Sequence, residues 1–158
     1  MVLLVLPLAQ ETELYNALPF FKFLTIMHLL GIHHIALNVR HLDRAERFYS
    51  DVLGFKVSQR FSKGLRHLML DAGNSQIALF EVPDLEMQSH IEELSETGYM
   101  HFAFKIEKEM FQLAVKKLID NNIDIGDGPV RRGEGDSVYF QDLDYNHLEI
   151  HCDDGEDS

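Results

Sequence analysis

Tryptophan is absent from this 158-residue chain, and cysteine occurs once, at Cys152. A single thiol excludes an intrachain disulfide and any zinc site built on paired cysteines. It also fits a reducing compartment, and a cytoplasmic location is the expectation. Basic residues are scarce: 14 Lys and Arg stand against 26 Asp and Glu, a net charge of −12. No basic run exceeds Arg131-Arg132. The chain therefore lacks the stripe that displaces counterions from a phosphate backbone, and neither nucleic acid nor an anionic membrane is an expected partner. Long apolar runs are missing too. Met1 to Ala9 is too short to cross a bilayer, and the first basic residue is Lys22, so the flank of a signal peptide is absent. With 46% hydrophobic and 25% charged residues, disordered, collagen-like and coiled-coil chains are excluded as well.

What remains is one domain with a core of its own. Residues 1–26 read as an N-terminal extension outside it, expected to be poorly ordered. An upstream start with Met27 as the working initiator and a weak signal peptide are the alternatives. The domain is expected over 27–152, followed by an acidic tail, 153–158.

Within the domain a repeat is visible. His34-Ile35-Ala36-Leu37-Asn38-Val39 matches His101-Phe102-Ala103-Phe104-Lys105-Ile106. Both alternate with the period of a strand, which puts Ile35, Leu37 and Val39 on one face and His34 on the other, and likewise for the second copy. A helix is predicted after each strand. Ala45, Phe48, Tyr49, Val52 and Leu53 have helical spacing, with Asp43 as N-cap and Gly54 as stop. Phe111, Ala114, Val115, Leu118 and Ile119 repeat that spacing, and Asn121-Asn122 ends it. Three strands follow in each half: Lys56–Phe61, Leu65–Asp71 and Gln76–Val82, then Asp124 to about Val130, Asp136–Gln141 and His147–Cys152. Each half is β-α-β-β-β, over 30–82 and 99–152. Pro83 to Gly98 links them, with a short helix expected over His90–Leu94. The fold class is α+β: two tandem modules whose mixed sheets are expected to curl around a metal cleft.

The polar faces carry the chemistry. His34 and His101 open twin strands, and Glu149 lies on the last strand between Leu148 and Ile150. The position equivalent to Glu149 in the first half is Ala78, which cannot ligate. Two imidazoles and a carboxylate would leave open positions on Fe²⁺, Mn²⁺, Zn²⁺ or Ni²⁺, as Lewis-acid or oxygen chemistry requires. A lone histidine on a strand is more often a hydrogen-bonded surface or core residue, but the repeat places two at matching positions. His147 and His151 share the face of Glu149, as partners that orient it from behind, as acid/base groups, or as exposed strand-end residues. Arg66 and His67 are further residues able to line the cleft.

Ile32 to Val39, Leu42 to Tyr49, Val52-Leu53-Gly54-Phe55, His101-Phe102-Ala103-Phe104 and Tyr139 to Glu149 together resemble the vicinal oxygen chelate superfamily. That superfamily groups glyoxalase I, extradiol dioxygenases, and fosfomycin- and bleomycin-resistance proteins. The likeness covers about residues 30–152. It implies a metal set of His34, His101 and Glu149 in an enzyme that chelates neighbouring oxygens of a small substrate. Thiol addition, epoxide opening, isomerisation and dioxygenation are the reactions it implies, and a metal-free sequestering protein of bleomycin-resistance type is the alternative. Gly133 to Phe140 looks most like the fosfomycin-resistance branch, which implies Ser137 and Tyr139 as substrate-holding residues. Pro129 and Gly133 stand where that branch carries Lys and Ser, and the stretch after Glu149 is acidic, so a phosphonate would meet little positive charge. Open-edged module pairs of this kind imply a homodimer.

Overall fold

The computed structural model describes residues 29–86, 100–126 and 128–155. The chain divides into two units, Met1–Ile32 and His33–Ser158. Of the first, residues 29–32 are described, and they are exposed. The expected extension 1–26 and the helix expected over His90–Leu94 lie outside the described residues. Among the described residues no helix is long and apolar enough to cross a membrane.

The second unit begins with β1 (His34–Val39) and α1 (Leu42–Arg47), which runs into a π-helical turn, Phe48–Val52. Then come β2 (Lys56–Phe61), β3 (His67–Asp71) and β4 (Gln76–Glu81). The second half supplies β5 (Phe102–Lys105), α2 (Lys108–Asp120), β6 (Val130–Arg132), β7 (Gly135–Gln141) and β8 (His147–Asp153). Two four-stranded sheets result, ordered β1-β4-β3-β2 and β5-β8-β7-β6. The first and last strand of each module pair in parallel, and the other neighbours are antiparallel. Ala36 is opposite Ala78 in one sheet, and Ala103 is opposite Glu149 in the other. The ladders thus bear out both the repeat and the equivalence of Ala78 with Glu149.

The expected curl is corrected. Among the described residues each sheet is open: β1 and β2 are the outer strands of the first, β5 and β6 of the second, and no strand joins the sheets. Three strand interfaces accumulate a twist of roughly 60–75°, short of what closure or a deep trough needs. The three-residue β6 adds little pairing at its edge. Each module therefore keeps its own open sheet, and neither sheet closes or curls strongly.

Apolar faces pack inward. Leu37, Val39, Leu68, Leu70, Ile77 and Leu79 of the first sheet join Val138, Phe140, Leu148, Ile150 and Cys152 of the second in one buried cluster. Leu42, Ala45, Phe48 and Tyr49 bring the first helical segment to it, and Phe111, Val115 and Leu118 bring α2. The halves are also joined by polar contacts. The Tyr49 hydroxyl donates to Asp142 Oδ2 (2.8 Å), and Arg40 Nε donates to Asp144 Oδ1 (3.1 Å).

Three local expectations differ in detail. The expected strand from Asp124 forms only at Val130–Arg132. The Asp124 carboxylate accepts the Gly126 N–H, and Gly126 and Gly128 take positive φ (58° and 91°), which breaks an extended run. The first helix widens into its π-turn, where Leu53 N–H donates to Phe48 O, five residues back. Its cap is tertiary: α1 starts after His41 without a side-chain cap of its own, and Asp43 instead pairs with Arg66. The Leu42 N–H donates to Glu81 Oε1, 2.9 Å away on β4.

That cap makes a prediction. The Leu42 N–H, with Arg66 adding to it, holds the Glu81 carboxyl below its ordinary value. A depressed carboxyl contributes stability above its unfolded pKa, about 4.3, and loses it as the pH falls through the lower folded value. Glu81→Ala is expected to cost about 1 kcal/mol at pH 7, the worth of an N-cap. The difference in melting temperature from wild type should shrink steadily below about pH 4. A difference unchanged down to pH 2 would show that the carboxylate charge plays no part.

Candidate functional site

Alternation along β7 and β8 sends Ser137 and Tyr139, and His147, Glu149 and His151, to the face opposite the core. In register, Ser137 is opposite His151 and Tyr139 opposite Glu149. His101 precedes β5, whose Ala103 is the direct neighbour of Glu149. The small Ala103 leaves the space beside the carboxylate to the imidazole.

Glu149 is 6% exposed although it carries a carboxylate. Burial of a charge is tolerated only where donors replace water. Here His101 Nε2 lies 2.8 Å from Oε2, and the Ser137 hydroxyl, itself fully buried, donates to Oε1 at 2.5 Å. Ser137 Oγ lies 2.9 Å from His151 Nδ1, and His151 Nε2 lies 3.1 Å from Asp153 Oδ1. Asp153 is held below its ordinary pKa by Lys105 first and His151 second. Tyr139 meets the His101 ring edge-on, with centroids 5.8 Å apart, and the Arg132 guanidinium lies 5.8 Å above the Tyr139 ring. The site is therefore a line of polar groups, His101–Glu149–Ser137–His151–Asp153, with Arg132 near Tyr139 and Lys105 beside Asp153.

Of the three expected ligands, the structure brings two together, His101 and Glu149. His34 is exposed at the start of β1, in the other sheet, where its Nδ1 lies 2.9 Å from that of His33. Among the described residues no three His, Cys, Asp or Glu side chains gather closely enough to hold a metal ion. The donor chemistry of His101 and Glu149 suits a divalent ion, one imidazole nitrogen and one carboxylate oxygen within reach of a common point. Two such donors are fewer than the three expected from the sequence.

The other candidates are placed as follows. His147 faces Gln141, whose amide nitrogen is 3.2 Å from its Nε2. Arg66 is turned away to Glu81 and Asp43. His67 is stacked between Phe61 and Phe80, with centroids 4.3 and 4.6 Å away, and its Nδ1 is 2.7 Å from Leu65 O. Sequence reasoning missed the bond between Ser137 and Glu149. The available signal was the shared face of Ser137, Glu149 and His151, which does not say which hydroxyl meets which oxygen. It also missed Asp142, a buried acceptor for Tyr49, for Asn146 Nδ2 (2.8 Å) and for the backbone N–H groups of Asp144 and Asn146.

Comparison with known proteins accords with this geometry. The model of the Glyoxalase/Bleomycin resistance protein/Dioxygenase superfamily matches residues 31–150. A metallothiol transferase FosB from Shouchella clausii is 30% identical over 123 residues, 77% of this chain and 79% of the relative. The glyoxalase/dioxygenase structure from Nostoc punctiforme is 27% identical with a TM-score of 0.59, over 82% of this chain and 99% of that one. A variant of FosX from Listeria monocytogenes, in complex with Mn(II) and 1S,2S-dihydroxypropylphosphonic acid, shares the fold with a TM-score of 0.66 and 23% identity, over 82% of this chain and 96% of that one. Paired β-α-β-β-β modules, the matched span and the 30% relative lead to one conclusion: the chain belongs to the glyoxalase/bleomycin resistance protein/dioxygenase superfamily.

Proposed function

We propose that the protein is a divalent-metal enzyme acting on a small oxygenated molecule, with His101 and Glu149 of one chain and His34 of a second copy as ligands. The observation that carries this reading is the His101–Glu149 pair, 2.8 Å apart, with the carboxylate buried on a polar sheet face. A bound Fe²⁺, Mn²⁺, Zn²⁺ or Ni²⁺ would supply Lewis acidity toward two neighbouring substrate oxygens. The chain's own groups do the rest. Edge-on contact with Tyr139 keeps the His101 ring in one orientation. Arg132 over Tyr139 brings positive charge to the rim, where an oxygen-rich or anionic substrate would approach. Tyr139 is the side chain placed to touch that substrate. Nucleophilic addition, epoxide opening, isomerisation and dioxygenation all draw on these elements.

A second copy would supply what the single chain lacks. Among the described residues His34 makes no metal-binding group with the pair, and each sheet has two outer strands without a further strand beside them. A two-fold dimer would bring each His34 to the other chain's pair and make two equal sites. The alternative, a metal-free binding protein, has one observation in its favour: His101 and Ser137 already satisfy both oxygens of Glu149.

Complementation separates the readings. His34→Ala and Glu149→Ala are each expected to bind little Mn²⁺. Unfolded and refolded together, they should recover about a quarter of the wild-type sites, because half the dimers are mixed and each mixed dimer holds one intact site. No recovery, with His34→Ala binding fully by itself, would remove His34 from the set. A wild type that takes up no divalent ion would favour the binding protein.

A further inference from the structure

We infer that Ser137 and His151 are positioning residues for Glu149. Together they fix Oε1 inside the sheet, so that Oε2 alone is presented to a ligand. The inference rests on the reading of Glu149 as a ligand of a divalent ion.

The donors can be counted. A carboxylate only accepts, and a serine hydroxyl has one proton to give. The Ser137 proton is therefore spent on Glu149 Oε1, and the hydroxyl is unavailable to a substrate. Its oxygen still accepts, and the group facing it is His151 Nδ1 at 2.9 Å, which donates there when it carries a proton. The far side of the His151 ring is held by Asp153, and Asp153 by Lys105. The ring also has a prepared bed. It lies over Gly135, opposite Asp153 in the ladder, where a Cβ would stand 2.7 Å from Cε1 and 2.9 Å from Nε2 of the imidazole. The Cys152 carbonyl oxygen stands closer still to that Cβ, so the strand pairing itself excludes a side chain at 135 and the ring uses the space this leaves. A fully buried hydroxyl and the histidine ring facing it back one carboxylate oxygen. Oε2 has no such clamp and faces His101. Groups that orient a ligand from behind tune its affinity and geometry without touching the ion.

The consequence is one-oxygen ligation by Glu149. Ser137→Ala would release Oε1 and let both oxygens reach the ion, which changes its coordination number. Co²⁺ reports this directly, because its visible absorption changes in position and intensity with coordination number. The experiment titrates the dimeric wild type, Ser137→Ala, Ser137→Thr and His151→Gln with Co²⁺ and records spectrum and affinity, with circular dichroism on each. Ser137→Ala is expected to shift the spectrum and weaken affinity about 10- to 100-fold. Ser137→Thr, which keeps the hydroxyl, should return both toward wild type, and so should His151→Gln if its longer amide places an N–H where Nδ1 stood. A folded Ser137→Ala protein with the wild-type spectrum and affinity overturns the inference and leaves the metal reading standing. Should Ser137→Ala not fold, His151→Phe takes its place with the same expected shift and the same overturning result. A wild type that takes up no Co²⁺ overturns the metal reading and this inference with it.

Discussion

Glu149→Gln is expected to lower the affinity for a divalent ion by more than about 100-fold, beyond what loss of an outer-shell partner typically costs. The amide keeps the shape of the carboxylate and removes its charge. The Ser137 hydroxyl donates to one oxygen, and His101 Nε2 lies 2.8 Å from the other. An amide puts an N–H in place of one of these acceptor oxygens and has no charge to hold a cation. His101→Ala should show a loss of similar size for a simpler reason, because it removes the other half of the pair. Isothermal titration with Mn²⁺ measures both, with circular dichroism as control for folding. Wild-type affinity in either variant would take that residue out of the site.

Asp142→Ala is expected to give the largest loss of stability, roughly 3 kcal/mol or more, with the melting temperature lowered on the order of 10 °C. Asp142 accepts the hydroxyl of fully buried Tyr49, the side chain of Asn146, and the backbone N–H groups of Asp144 and Asn146. Alanine leaves these donors without an acceptor, and each buried orphan costs about 1–3 kcal/mol. The carboxylate itself is under tension. Burial pushes its pKa up, against the pull of the donors that surround it. The same burial, with Asp142 adjacent, pushes the Tyr49 phenol well above its ordinary value, so it remains a donor at neutral pH. Tyr49→Phe removes one donor and leaves the others satisfied, and should cost about 1–2 kcal/mol. Thermal denaturation of both variants checks the order. Equal losses would mean that the loop after β7 draws little from its other three bonds.

The same bond explains how the halves hold together without a shared sheet. Tyr49 comes from the first module's π-turn and Asp142 from the second module's last hairpin, 93 residues later. Nothing in the spacing of either segment announces this meeting. The phenol reads as one more apolar residue at helical spacing, and Asp142 as part of a polar turn.

Where residues face was legible before any coordinates. A strand's side chains alternate because the pleat imposes a period of two, and that period is written in the order of residue types. His34, His101 and Glu149 could thus be assigned to polar faces, Leu37, Leu148 and Ile150 to the core, and the halves to one repeated module; the ladders bear out the repeat, and the buried cluster bears out the core residues. The family could be read from the same motifs. Which polar groups meet was not legible. Glu81 caps α1 although Asp43 is the nearer acid, because β4 passes the helix start and Arg66 draws Asp43 away. Ser137 turns to Glu149 because the pairing of β7 with β8 sets them diagonally. His34 stays apart from His101 and Glu149 because it belongs to the other sheet, and four strands do not twist far enough to curl around a common centre. Facing is a property of each strand alone, carried by neighbouring residues. Partnership depends on register between strands and on how many strands pair, and those are settled only when distant segments pack.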